Sequence, residues 1–267
     1  MKKTRQQYTE ANRLAWNEVA SRHAEHNNEA LFENFARPGF ITFVGEILET
    51  LRRVDVQGKR IIQLGCNNGR ETLSLRNMGA SYCVGIDAAD AFLEHGREMI
   101  RIAGAEDQVE LVCADLYDLP DKFTGSFDIV LITIGVLSWL PDLKSFFAAA
   151  HGLLKDGGLL VIEDMHPILF MYDENSESGV SSIQHSYFSE QVWEETTGLD
   201  YYGHETYSSR PNYSFMHRMD EILMAGIDCG LCLESFRELD CDISNFCSDL
   251  EQSPVKPPLG FVMVMKR

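Results

Sequence analysis

The segment Ile61-Ile62-Gln63-Leu64-Gly65-Cys66-Asn67-Asn68-Gly69 runs a short apolar stretch into two glycines four residues apart. A strand that ends in such a turn and passes into a helix brings its backbone close to a ligand, because glycine has no Cβ and tolerates positive φ. The first amides of the helix beyond are free to donate. Acids recur at comparable places. Asp87 closes Val84-Gly85-Ile86-Asp87, where a carboxylate can accept both hydrogen bonds of a ribose diol. Asp115 follows Val112-Cys113-Ala114, placed to meet an adenine amino group, and Phe127-Asp128 opens another apolar run that ends at Ile132-Thr133. The chemistry this arrangement would do is to hold an adenosine-bearing ligand at the carboxyl ends of successive strands.

The elements needed to position these residues are legible as alternation. Strands are expected at Arg60–Leu64, Tyr82–Ile86, Val109–Val112, Phe127–Thr133 and Leu159–Glu163. Helical patterns separate them at Arg70–Met78, Ala91–Ala103 and Asp142–Leu154, the last ended by a Lys155-Asp156-Gly157-Gly158 turn. Two helices precede them, from about Arg5 to Asn28 and from Gly39 to Val54. Short apolar strands alternating with helices predict an α/β fold with a doubly wound, mostly parallel sheet. The pattern breaks after Pro167. Ile183–Phe188 and Leu199–Tyr207 are expected as antiparallel strands of an insertion over 168–215, and Met216–Ala225 as a helix stopped at Gly226. Leu231–Leu239 and Phe261–Met265 read as two final strands.

At these residues the chain resembles the class I S-adenosylmethionine-dependent methyltransferases, in particular the small-molecule branch that includes the ubiquinone and menaquinone biosynthesis enzymes. The resemblance covers roughly residues 58 to 167. It rests on the glycine turn, Gly85-Ile86-Asp87, Ala114-Asp115-Leu116, Phe127-Asp128 with Gly135-Val136-Leu137 and Leu140-Pro141-Asp142, and Leu153-Leu154-Lys155-Asp156-Gly157-Gly158. Ser214–Asp240, with His217, Glu221 and Gly226, is similar to the penultimate helix and strand of that branch. The resemblance implies a Rossmann-like seven-stranded sheet with an antiparallel last strand. It implies an N-terminal helical cap over 1–56 and a methyltransferase domain over 57–267 carrying the insertion after the fifth strand. S-adenosylmethionine is the implied cofactor. Gly65, Cys66, Asn67, Asn68 and Gly69 would approach its methionine part, Asp87 with Ala88 its ribose, Asp115 and Leu116 its adenine, and Ile132 and Thr133 its amino group. Two residues depart from the pattern: Gln63 stands where the family usually has an acid, and Asn67 where it often has a glycine. The amide oxygen of Gln63 can still accept a hydrogen bond. The missing middle glycine argues against a nicotinamide dinucleotide, whose turn is G-x-G-x-x-G.

The acceptor side is expected from the N-terminal helices and from the chain beyond the fifth strand. Trp16, His23, Tyr187 and Tyr202 are the substrate candidates, with Glu163 and Tyr201 beside them. His166 and His217 are the candidates for a general base. His166 is placed first, because Glu163-Asp164-Met165-His166-Pro167 leaves the fifth strand at its carboxyl end. Cys229-x-x-Cys232 lacks the second close cysteine pair of a structural zinc site, so no metal is expected.

With 267 residues the chain has room for one large domain with a modest insertion. Its net charge of -18 excludes the basic face that a phosphate backbone or an anionic membrane needs. No apolar stretch follows the basic start MKKTRQQYTEANR, and the longest apolar run, Ile129–Leu140, is too short to span a bilayer. With seven cysteines, an odd number, the expectation is a reduced, cytoplasmic protein with a small-molecule acceptor, no nucleic acid and no membrane. A protein acceptor and a non-catalytic cofactor-binding role are the alternatives. The acidity is concentrated: residues 168–253 hold 17 of the 41 acids but three of the 23 bases. This half should disfavour anionic acceptors. Methyl transfer to an anionic acceptor is therefore expected to quicken with added salt, and a salt-independent rate would remove the electrostatic argument.

Overall fold

The computed structural model describes residues 3–173, 181–203, 205–244 and 246–267. In chain order its strands are β1 (Arg60–Leu64), β2 (Tyr82–Asp87), β3 (Val109–Cys113), β4 (Phe127–Ile132), β5 (Leu154–Met165), β6 (Tyr172–Asp173), β7 (Ser182–Ile183), β8 (Val192–Glu195), β9 (Asn212–Phe215), β10 (Cys232–Leu239) and β11 (Gly260–Lys266). The helices are α1 (Arg5–Phe35), α2 (Gly45–Arg53), α3 (Arg70–Asn77), α4 (Asp90–Ile102), α5 (Leu143–Leu153), α6 (Met219–Asp228) and the short α7 (Ser248–Glu251).

Seven strands form one sheet in the order β10-β11-β5-β4-β1-β2-β3. β11 runs antiparallel to both its neighbours, and the remaining pairs are parallel. The expected doubly wound sheet with an antiparallel last strand is what forms. The apolar strands are buried on both faces, as a parallel sheet requires. Phe146, Phe147 and Ala150 of α5 pack with Ile222 and Ala225 of α6 over one face. Leu51 of α2, Leu73 of α3 and Leu93 of α4 pack over the other. α2 thus belongs to the sheet's packing, and the end of α1 joins it through Phe35.

The winding reverses between β1 and β4, because the chain steps outward through β2 and β3 and then returns to the other side of β1. Open α/β sheets bind ligands at the carboxyl ends of the strands flanking such a reversal. Register makes this edge level: Leu64 pairs with both Ile86 and Ile132, and Ile132 pairs with Ile162. Gly65, Asp87 and Thr133 therefore leave the sheet at one height, level with Glu163 of β5, which runs on to Met165.

Four expectations are corrected. β5 begins at Leu154, so the Lys155–Gly158 segment expected as a turn is the irregular start of a strand. α6 runs on through Gly226, which is buried against Met265 and Phe147 where a Cβ would collide. The strand expected at Ile183–Phe188 is cut to Ser182–Ile183, and the described residues of Leu199–Tyr207 form no strand. Their backbone bonds are local, from Tyr207 to Thr197 and from Gly203 to the Asp200 side chain, and Leu199 offers its carbonyl to His23. The second hairpin uses β8 and β9 instead.

α1 is 31 residues long and starts at a capping box in which Thr4 and Gln7 bond reciprocally. It crosses the carboxyl edge of the sheet and is tied to the insertion 201 residues later in sequence. The Asn12 side chain donates to the Tyr213 carbonyl at 2.9 Å and accepts the Tyr213 amide at 2.7 Å, all three groups buried. Arg22 pairs with Glu205 and lies over the Tyr207 ring, and Glu18 accepts the Arg210 amide. No helix among the described residues is long and apolar enough to cross a membrane. Replacing Asn12 with Ala strands a buried donor and acceptor on Tyr213. It should lower unfolding stability by about 2–4 kcal/mol, seen as a reduced midpoint in thermal denaturation, whereas a near-neutral effect would show that α1 is not clamped there.

Candidate cofactor and acceptor site

The turn after β1 is shaped by close approach. Gly65 has φ 70° and Gly69 φ 72°. A Cβ on Gly65 would come within 2.6 Å of the Val136 side chain, and one on Gly69 within 2.9 Å of Leu111. Between them Asn67 takes φ 51°, the left-handed conformation that asparagine tolerates better than most side chains. The Asn67 amide donates to Asp87 Oδ2 at 2.7 Å, and the Ala89 amide donates to Oδ1 at 2.9 Å. Each carboxylate oxygen keeps a further lone pair. Burial pushes the Asp87 carboxyl above the ordinary aspartate range, opposed by these amides. Asp115, two residues beyond β3, accepts the Tyr117 amide at 2.9 Å and the Thr9 hydroxyl of α1 at 3.2 Å. Leu116 packs half-buried beside it, and the Ala88 carbonyl faces the Cys113 thiol.

Gln63 is fully buried and spans the gap between helix and sheet. Its amide oxygen accepts the Thr72 hydroxyl at 2.6 Å, and its nitrogen donates to Thr133 Oγ1 at 2.9 Å. It braces the Thr133 end of β4 against α3. Buried Cys66 has a thiol pushed well up by desolvation, so its contribution is backbone and bulk.

Sequence reasoning missed Asp164. Its carboxylate accepts the amides of Gly135 at 2.6 Å, Leu137 at 3.1 Å and Met165 at 2.8 Å, and so fixes the loop that follows β4. Desolvation outweighs these bonds and raises its pKa to about 6. The only signal was an acidic pair closing an apolar strand. Its neighbour Glu163 turns to the opposite face, towards Glu46 of α2 and Glu71 of α3, and is pushed up to about 8 by burial and by the like charges of Asp164, Glu71 and Glu46.

α1 and the insertion roof this edge with aromatics. Trp16 sits edge-on to Trp139 at 5.3 Å, Phe92 at 6.0 Å and Tyr201 at 6.3 Å, spanning from the loop after β4 to α4. His23 meets Tyr201 at 4.4 Å and Tyr202 at 4.9 Å, and its Nε2 lies 2.9 Å from the Leu199 carbonyl. Tyr202 accepts a hydrogen bond from Arg70, the first residue of α3, at 3.0 Å. Trp16, His23 and Tyr202 thus converge above the glycine turn, where a small polar cavity is lined by His23, Asn67, Asn68 and His95. Tyr187 stands apart: its hydroxyl accepts the Met219 amide at the start of α6.

A second cavity, small and open to solvent, lies between the loop after β4, the end of β5 and α6. Phe170, Phe215, Ile222 and Met165 give it apolar walls, and Ser138, Asp164 and His217 line it too. His166 is not among its lining residues. Its Nδ1 accepts the Ile168 amide at 3.2 Å, and its Nε2 lies 3.4 Å from Glu238 of β10. Cys229 packs its thiol on the carbonyls of Gly226 and Phe147, while Cys232 lies exposed at the start of β10.

Residues 62–162 match the family described as a methyltransferase domain. Among curated proteins the chain is similar to a ribosomal protein L11 methyltransferase of Tolumonas auensis, 30% identical over 113 residues, 42% of this chain and 38% of that one. It is also similar to a ubiquinone biosynthesis O-methyltransferase of Neisseria meningitidis serogroup C, 30% identical over 106 residues, 40% of this chain and 44% of that one. The chain thus spans less than half the length of these relatives. Among solved structures it shares its fold with an S-adenosylmethionine dependent methyltransferase from Mesorhizobium loti, at a TM-score of 0.61 and 22% identity over 82% of this chain and 96% of that one. Geranyl diphosphate C-methyltransferase from Streptomyces coelicolor A3(2), solved with S-adenosyl-L-homocysteine, gives 0.57 and 15% over 82% and 77%. Residues 62–162 thus resemble a methyltransferase domain, and they are set in the fold that these solved structures share.

Glu163 offers a pH test. Its folded pKa of about 8 lies above the ordinary 4.5, so the folded protein holds a proton that the unfolded chain has released. Stability therefore falls as pH rises from 4.5 towards 8. Glu163→Gln cannot titrate and should be the more stable protein at pH 8, by on the order of 2–4 kcal/mol, with the difference vanishing near pH 4.5. Denaturant titrations of both proteins at the two pH values check this; parallel pH profiles would refute it.

Proposed function

We propose that this protein transfers the methyl group of S-adenosylmethionine to a small-molecule acceptor. The observation that carries the cofactor half is the level edge: the glycine turn, Asp87 and Thr133 emerge at one height beside the reversal of winding. The residues fit the cofactor. The turn is a cradle without room for side chains at Gly65 and Gly69, and Asp87 is oriented by two amides with lone pairs to spare for ribose hydroxyls. In this reading Gly65, Cys66, Asn67, Asn68 and Gly69 lie along the methionine part, and Asp87 with Ala88 takes the ribose. Asp115 takes the adenine amino group, and Leu116 packs on the ring. The carbonyls of Ile132 and Thr133 take the cofactor's amino group.

When bound, the cofactor supplies a methyl group activated by a sulfonium sulfur. The chain's own work is positioning and exclusion of water. Holding two reactants in line is worth up to about 7–11 kcal/mol in favourable cases. Trp16 and the aromatic roof cover the edge, and that cover supports an acceptor of small size. A protein acceptor is the second reading, favoured by the likeness to the ribosomal protein L11 methyltransferase. Radiolabelled methyl transfer into cell extract, sorted by product size, separates the two: label in small molecules supports the first, label in polypeptide the second.

Asp87→Ala removes the ribose acceptor. Calorimetric titration should show S-adenosylmethionine binding weakened at least about tenfold, the scale of one lost charge-assisted hydrogen bond. Unchanged affinity would place the ribose elsewhere, and no binding by the wild type at millimolar ligand would remove the reading altogether.

A further inference from the structure

The segment from Thr133 to Leu140 carries no charged side chain, yet it touches both halves of the candidate site. Its start supplies the Ile132 and Thr133 carbonyls read above as partners of the cofactor's amino group. Val136 packs over Gly65 of the glycine turn, and Trp139 meets Trp16 of α1 edge-on at 5.3 Å. The segment is held from outside. On one side Gln63 of β1 donates to the Thr133 hydroxyl at 2.9 Å. On the other, Asp164 of β5 accepts the Gly135 amide on Oδ1 at 2.6 Å and the Leu137 amide on Oδ2 at 3.1 Å. Gly135 takes φ 88°, a left-handed turn, and the amides on either side of Val136 converge on one carboxylate. Asp164 is only 3% exposed, and a carboxylate buried so deeply is costly unless donors surround it. The groups that oppose its desolvation are the amides of Gly135, Leu137 and Met165.

We infer that Asp164 is a positioning residue for the methyl donor. By tying Gly135 and Leu137 to β5, it sets the Ile132 and Thr133 carbonyls for the amino-acid arm of S-adenosylmethionine and sets Trp139 against Trp16. This deepens the methyltransferase reading and rests on it. A carboxylate suits the task because both its oxygens only accept, so two amides of one turn can end on a single side chain. An asparagine of the same size would turn its NH2 towards one of those N–H groups and lose that tie. Asp164 acts through the loop, so its effect belongs to one end of the cofactor. The partners read for the other end, Asp87 and Asp115, are fixed independently. Asp87 is held by the amides of Asn67 and Ala89, and Asp115 by the Tyr117 amide and the Thr9 hydroxyl.

The test compares S-adenosylmethionine with 5′-methylthioadenosine, which keeps the adenosine and the methylthio group and lacks the amino-acid arm. Calorimetric titrations are run at pH 8, above the value of about 6 to which burial raises Asp164, so that its carboxylate is ionised. Asp164→Asn should bind S-adenosylmethionine at least about tenfold more weakly than the wild type does, while 5′-methylthioadenosine binds both proteins alike. Near-ultraviolet circular dichroism should show the Trp16–Trp139 signal, identified with Trp139→Phe, reduced in Asp164→Asn. The inference is overturned if S-adenosylmethionine affinity survives the substitution, if the tryptophan signal is unchanged, or if both ligands are weakened equally, as general destabilisation would do. Should Asp164→Asn fail to fold, hydrogen exchange on the wild type decides. The Gly135 and Leu137 amides should be protected in the free protein and more strongly so with S-adenosylmethionine bound; fast exchange, or exchange indifferent to the cofactor, overturns the inference. No binding of either ligand by the wild type removes the transferase reading and this inference with it, whereas wild-type binding that Asp164→Asn leaves unaltered removes the inference alone.

Discussion

The register of the parallel strands governs everything above it. Because Leu64 is level with Ile86 and Ile132, and Ile132 with Ile162, three chain segments leave the sheet at one height beside β5. The strands are held there by burial on both faces, and their backbone ladders set that register. The polar ends then have to meet. Asp87 reaches the Asn67 amide of the neighbouring turn, and Asp164 reaches the amides of Gly135 and Leu137. Both carboxylates tie the loop of one strand to the end of another.

A sheet edge crowded with backbone amides and carboxylates cannot stand bare, and its cover comes from distant parts of the chain. α1 brings Thr9 to Asp115 and Trp16 to Trp139 and Phe92. The insertion contributes Tyr201 and Tyr202 and is clamped back on α1 through Asn12 and Tyr213. The roof is therefore one unit built from two segments, and the cavity under it takes its shape from both. Its acidity suits this place: carboxylates such as Glu18 and Glu205 tie Arg210 and Arg22 across the junction.

Glu163 and Asp164 show how one step along a strand separates two roles. Successive side chains point to opposite faces. Asp164 meets donors and becomes a strut for the loop beside the cavity. Glu163 meets Glu46 and Glu71 and becomes a buried acid that favours its proton. Their chemistry is alike, and their surroundings are not.

The sequence by itself determined the sheet, its winding and the glycine and acid positions along its edge, because these depend on local periodicity and on turns written in consecutive residues. Gly65, Gly69, Asp87 and Asp115 were legible for that reason. Only the tertiary structure decided which histidine faces the cavity. His166 sits at the strand end where a base was expected, yet its Nδ1 is used by the Ile168 amide and its Nε2 faces Glu238. His217 depends on a carbonyl 77 residues away and on a strand held by a helix from the other end of the chain. Gln63 reads as a lost acid, and folding makes it a brace between Thr72 and Thr133. Periodicity reports which face a residue takes. The partner it meets there is set by packing between segments that no local pattern connects.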